Sequence, residues 1–235
     1  MQGNLFAFIG SMLKKYRLPI ITVFTVLFID QCIKLYIKAN YPIGEVCRIF
    51  GDWSRITFTE NPGMAWGLEF GGDYGKLALS LFRIIAVFAG GLYIKKIVND
   101  KEHKGFIICV SLILAGALGN IIDSAFYGLV FGPSSEYEIA AFMPAGGGYA
   151  GFLQGHVVDM FYFPMFEGNF PTWVPVLGGE HFEFFNAIFN FADMAISFGV
   201  GIILAFQNSF FKSKTVPKET VPSVEEQSID QSPNS

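Results

Sequence analysis

The residues of this sequence best placed to do chemistry are aspartates in apolar surroundings. Asp193 lies inside NAIFNFADMAISFGVGIILAF, Asn186 to Phe206, with no Lys or Arg nearby. Asp159 lies in HVVDMFYFP, His156 to Pro164, after two valines and before a run of aromatics. A carboxylate in the middle of a membrane-spanning helix costs about 2.5–3.5 kcal/mol on insertion scales, so such residues have a reason to be there. If Asp159 folds back and meets Asp193, two like charges about 4 Å apart repel by roughly 4 kcal/mol at an effective dielectric near 20. That corresponds to about three pKa units. One carboxyl then keeps a proton at neutral pH while the other stays ionised. The ionised one can take a proton from water, the other can donate to a carbonyl oxygen, and the pair can protonate a leaving amine. This chemistry would hydrolyse a peptide bond without Ser, Cys or metal.

Other polar residues interrupt apolar runs. Asn186, Asn190, Asp193 and Ser197 follow steps of four, three and four, which predicts one face of a helix turned towards the protein interior. The alternative is a purely structural hydrogen-bonding stripe. In GALGNIIDSAFYG, Gly116 and Gly119 allow close helix approach, and Asn120, Asp123 and Ser124 cluster near a helix end. A structural role is expected for Asp123. In DQCIK, Asp30 and Lys34 are four apart and read as a helical ion pair, with substrate positioning as the alternative. Arg83 is a further candidate buried charge. No Ser or Cys has a His placed by a recognisable motif. Cys32, Cys47 and Cys109 show neither a disulfide framework nor zinc spacing, and His103, His156 and His181 are scattered. Neither metal nor cofactor is expected.

The elements that must hold these groups are membrane helices. The chain of 235 residues is 52% hydrophobic and 15% charged, against about 25% charged in soluble domains. Four runs approach the ~20 residues that cross a bilayer core: Leu18–Ile37, Lys76–Ile94, Gly105–Tyr127 and Phe184–Gln207. Lys14, Lys15 and Arg17, then Lys95, Lys96, Lys101 and Lys104, then Lys212, Lys214 and Lys218 fall on one side of four spans. The positive-inside rule makes that side, with both termini, cytoplasmic. The other face carries 39–75 and 124–183, with Trp53, Trp66 and Trp173. The expected fold is a membrane all-α protein: four transmembrane helices, a small β-sheet cradle from 48–70, and irregular loops across 132–179 on the outer face. Residues 1–211 form the membrane domain. The tail 212–235, rich in Ser, Pro, Glu and Lys, is expected to be disordered and cytoplasmic.

Five motifs, DQCIK (30–34), NPGMAWG (61–67), GALGNIIDS (116–124), VVDMF (157–161) and FNFAD (189–193), resemble in kind and order those of the lipoprotein signal peptidases, or signal peptidase II. Each is weak alone; together they are specific, and they cover most of the chain. The resemblance implies an intramembrane aspartic endopeptidase that removes the signal peptide of bacterial prolipoproteins before a diacylglyceryl-modified cysteine. It implies Asp159 and Asp193 as the catalytic pair. Asp30, Lys34, Asn61, Gly63, Asn120, Asp123, Asn190 and Ala192 become the substrate-binding and supporting residues. It implies the bacterial inner membrane, with the site near the outer face. The partners would be prolipoproteins and membrane lipids, with no nucleic acid, and the protein a monomer. Three departures stand out: Ser124 follows Asp123 where the family usually has Arg, Met64 replaces a usual Ala, and the stretch from Asp123 to Asp159 is long.

Two other classes compete. An ion-coupled transporter or channel would use Asp30, Asp123 and Asp193 as ion sites, but the inner halves of the spans are almost wholly apolar. A noncatalytic scaffold would use the same residues only to hold helices together.

Overall fold

The computed structural model describes residues 2–51, 53–62 and 72–211. Gly63 and Met64 of the NPGMAWG motif, Trp66 and the tail from 212 onward lie outside the described residues. A first helix, α1 (Gln2–Lys15), which the apolar runs did not predict, leads into α2 (Arg17–Asn40). Two strands follow, β1 (Val46–Phe50) and β2 (Ser54–Asn61), then the helices α3 (Gly72–Asn99) and α4 (Lys104–Ile122). The α4 helix widens into a π-helical turn, Asp123–Tyr127, and ends in the short α5 (Gly128–Val130). After a long connection come β3 (Val157–Tyr162), β4 (Phe166–Asn169), β5 (His181–Phe184) and β6 (Ile188–Phe189). The helices α6 (Phe191–Ala205) and α7 (Gln207–Phe210) close the described chain.

Three helices are long and apolar enough to cross a membrane: α2, α3 and α4 with its continuation to Val130. The expected fourth span, Phe184–Gln207, is not one helix. Its first residues are β5, a turn and β6, and α6 has 15 residues. The physical reason is local. Asn190 caps α6, and Asp193 reaches back to the cap, a reciprocal capping box that fixes the helix start. Asn186 therefore lies ahead of β6, off the helical face that it was expected to share with Asn190, Asp193 and Ser197.

At the centre stands α4, which packs against α2, α3 and α6. Small residues permit this. A Cβ on Gly119 would come 2.6 Å from the Asp30 carboxylate and 3.2 Å from Ala192 Cβ, and one on Gly116 would overlap the Ala192 carbonyl. The outer strands form an antiparallel sheet in the order β1-β2-β3-β6, while β4 and β5 make a separate hairpin. The expected cradle thus gains two strands from beyond residue 156: β3, in a region expected to be irregular, and β6, in the run expected to be the fourth span. One core cluster joins Phe58, Val158 and Met160 of the sheet to Ile37, Tyr127, Phe131 and Ala140. The connection 131–156 is consequently packed against the sheet, with Phe131 and Ala140 buried.

Candidate active site

Four elements, β2, β3, β6 and α6, bring the two aspartates together. Asp159 projects from β3, where it pairs in register with Thr59 of β2, and its residue is 3% exposed. It was expected in a loop; the strand fixes its direction. Two residues further along, Phe161 pairs with Phe189 of β6, which places Asn190 and the start of α6 beside β3. Asp193, in the first turn of α6, is half-buried.

Asn190 joins the two carboxylates. Its Nδ2 donates to Asp159 Oδ1 at 2.6 Å and to Asn120 Oδ1 at 3.1 Å. Its Oδ1 accepts from the Asp193 backbone N–H at 3.0 Å, and its own N–H donates to Asp193 Oδ2 at 3.3 Å. Asn120 Nδ2 donates to Asp193 Oδ1 at 2.8 Å. Asn61, at the end of β2, donates to Asp159 Oδ2 at 3.2 Å. Each carboxylate is thus held from two sides by neutral amides, which orient it without adding charge. Arg83 on α3 lies within electrostatic range of Asp193 and Asp159.

Burial pushes the Asp159 carboxyl up, and the neighbouring charge of Asp193 adds to this; the hydrogen bonds from Asn190 and Asn61 oppose it. The outcome is a carboxyl raised to about 7. Beside Asp193 opens a cavity of about 480 Å³ lined by Phe185, Ala187, Phe189, Met194, Ser197 and Phe198. It offers an apolar chain a place next to a carboxylate.

Behind the two aspartates lies a second layer. The Lys34 ammonium spends its three N–H groups on Asp30 at 3.0 Å, Asp123 at 2.7 Å and Asn120 at 2.9 Å. All three of the charged groups are fully buried. Asp30 also accepts from the Ala192 backbone N–H at 2.9 Å, and Asp123 from that of Val158 at 3.3 Å. This layer therefore ties α2, α4, β3 and α6 to one another. Ser124, where an Arg is usual, bonds back to the Asn120 carbonyl at 3.0 Å.

Sequence reading missed several polar partners. Gln31 donates to Asp30 and Asp123, at 3.1 and 2.9 Å, and accepts from Tyr127. Lys38, also on α2, is fully buried and pairs with Glu60. Ser134 and His156 also bond Glu60, at 2.7 and 3.2 Å. The Lys38 ammonium lies 5.1 Å from the ring centroids of Phe131 and Tyr149. The signal for Lys38 was present: Asp30, Lys34 and Lys38 are four apart on one helical face. Among the described residues, no group of three or more His, Cys, Asp or Glu is placed to hold a metal ion.

A family model described as signal peptidase (SPase) II matches residues 22–209. The chain belongs to the signal peptidase II family. It is 49% identical over 179 residues to the lipoprotein signal peptidase of Porphyromonas gingivalis strain W83, covering 76% of this chain and 77% of that one. The lipoprotein signal peptidase of Amoebophilus asiaticus is 36% identical, over 75% of this chain and 71% of its own. A solved bacterial membrane enzyme obtained by the in meso method superposes with a TM-score of 0.52 at 24% identity. It covers 84% of this chain and 92% of that chain, a likeness of fold. Membership of the signal peptidase II family makes the protein a membrane protease of lipoprotein processing.

Proposed function

We propose that the protein is an aspartic endopeptidase in which Asp159 and Asp193 activate water to cut the signal peptide from diacylglyceryl-modified prolipoproteins. The observation that carries this reading is the pair itself: two carboxylates held by the shared amide of Asn190, one of them raised to about 7. Asp193 sits in the first turn of α6, where negative charge is electrostatically favoured, and serves as the base that takes a proton from water. Asp159, protonated up to neutral pH, donates to the scissile carbonyl oxygen. The water oxygen bonds to the carbonyl carbon; collapse of that adduct breaks the C–N bond, and the pair delivers a proton to the leaving amine. Lys34, Asp30, Asp123 and Asn120 hold the elements in place, and Ala192 ties α6 to Asp30. Gly63 is assigned a supporting role by its motif alone.

The substrate's lipid fits the apolar cavity beside Asp193 by chemistry. In this reading α6 with α7 is the fourth crossing, both termini are cytoplasmic, and the site faces the outer surface of the bacterial inner membrane. Residues 1–211 form the peptidase and 212–235 a cytoplasmic tail. A single chain supplies every group invoked, so a monomer suffices. The test is cleavage of a lipidated precursor by purified Asp159→Asn and Asp193→Asn variants that remain folded in the membrane. Both should be inactive; retained cleavage by either removes the proposal.

A further inference from the structure

A second apolar space lies away from the aspartates. Helices α2 and α3 both pack on α4, and between them opens a cleft of about 710 Å³. Val23 and Leu27 of α2 form one wall, Gly91 and Ile94 of α3 the other, and Leu114 of α4 the floor. Met12 and Leu13 at the end of α1, with Tyr16, line it at the basic end of the helices. The Tyr16 hydroxyl donates to Asn99 Oδ1 at 3.0 Å, which ties the start of α2 to the end of α3. At Gly91 a Cβ would meet nothing within 4 Å, so the missing side chain is part of the space.

We propose that this cleft is a binding site for one acyl chain of an anionic phospholipid. Two observations choose this occupant. The first is size: a helix about 10 Å across would fill the volume within about two turns, whereas a thinner extended chain can follow the cleft along α2 and α3. The second is charge at the end lined by Tyr16. The Lys15 ammonium lies 5.9 Å from the ring centroid of Tyr16, itself a wall residue. Lys14, Arg17, Lys95 and Lys96 are exposed nearby in sequence at the ends of α1, α2 and α3. Moving an acyl chain from bilayer to groove gains no hydrophobic free energy. Selectivity must therefore reside in the headgroup, and each basic residue near an anionic headgroup contributes about five-fold.

The test is native mass spectrometry of the purified full chain, titrated separately with phosphatidylglycerol and phosphatidylcholine. One phosphatidylglycerol should be retained, with at least about five-fold preference. Gly91→Leu, whose Cβ meets nothing within 4 Å, should abolish retention, and Leu27→Trp should do the same from the opposite wall. Lys15→Gln combined with Arg17→Gln should erase the headgroup preference. Equal retention of both lipids by the unaltered chain, or undiminished retention by the folded Gly91→Leu and Leu27→Trp variants, overturns the proposal. Neither groove residue belongs to the catalytic network, so precursor cleavage serves as the check on folding.

Discussion

Replacing Asn61 by Ala removes one of the two donors that hold Asp159, and its consequence for pH dependence can be worked through. In the proposed mechanism the pair works while it keeps one proton, so activity should fall as pH rises through the Asp159 value of about 7. The Asn61 amide stabilises the ionised form, and losing it raises that value further. Hydrogen bonds to charged groups contribute about 1.5–3 kcal/mol. The Asn61 contact, at 3.2 Å, is longer than the ~2.7–2.9 Å usual for charge-assisted bonds, so the low end applies. About 1.4 kcal/mol is one pKa unit. The alkaline limb of kcat should therefore move from about pH 7 to about pH 8. Cleavage of a fluorogenic lipidated peptide by the purified enzyme, followed across pH, reads the shift directly. A limb that stays in place, or moves to lower pH, would refute the role given to Asp159.

Three further expectations follow from the same contacts. The Asp159 carboxyl is raised from 3.8 to about 7 on folding, so its contribution to stability is full below about pH 4 and lost as pH rises through about 7. Asp159→Asn should therefore gain on the native protein by about 2–4 kcal/mol at pH 8 and by almost nothing in acid; parallel thermal melts at the two pH values check this, and a pH-independent difference contradicts it. Lys34→Met leaves Asp30 and Asp123 buried without their cation and should destabilise the fold by about 3–5 kcal/mol, measured by unfolding in detergent. Lys38→Met should cost a similar amount, and adding Glu60→Leu should recover most of it. A double variant no more stable than Lys38→Met would show that the pair is not coupled.

Charge cost and spacing made much of the site legible. Aspartates at 30, 123, 159 and 193 stand out because their neighbours are apolar, and four-residue spacing joins Asp30 to Lys34. What spacing could not convey was the change of backbone at Asn190. The run Asn186 to Phe206 is apolar enough to be helix throughout, and periodicity alone does not separate strand from helix in such a run. The Asn190-x-x-Asp193 pattern carried the decision, as a capping signature immediately before an apolar stretch. Likewise β3 reads as an apolar run with one Asp, and only its pairing with β2 and β6 fixes where Asp159 points. Long-range pairing of this kind leaves little local trace.

The placement of Lys38 gives the long stretch between Asp123 and Asp159 a physical role. A buried cation on α2 requires a buried anion, and Glu60 of β2 supplies it. Burial alone would raise the Glu60 carboxyl, but the His156 and Ser134 bonds and the Lys38 charge bring it down to about 2. Glu60 thus stays ionised throughout the physiological range. Ser134, Tyr149 and His156, which surround this pair, all come from the connection that precedes β3. Glu60 itself pairs with Val158 and is followed by Asn61, the donor to Asp159. Consecutive residues of β2 thus face two networks, one anchoring the connection and the other orienting the Asp159 carboxylate. The added chain length braces the strand pair that sets Asp159 from behind, while Lys34, one turn earlier on α2, does the same from the helix side.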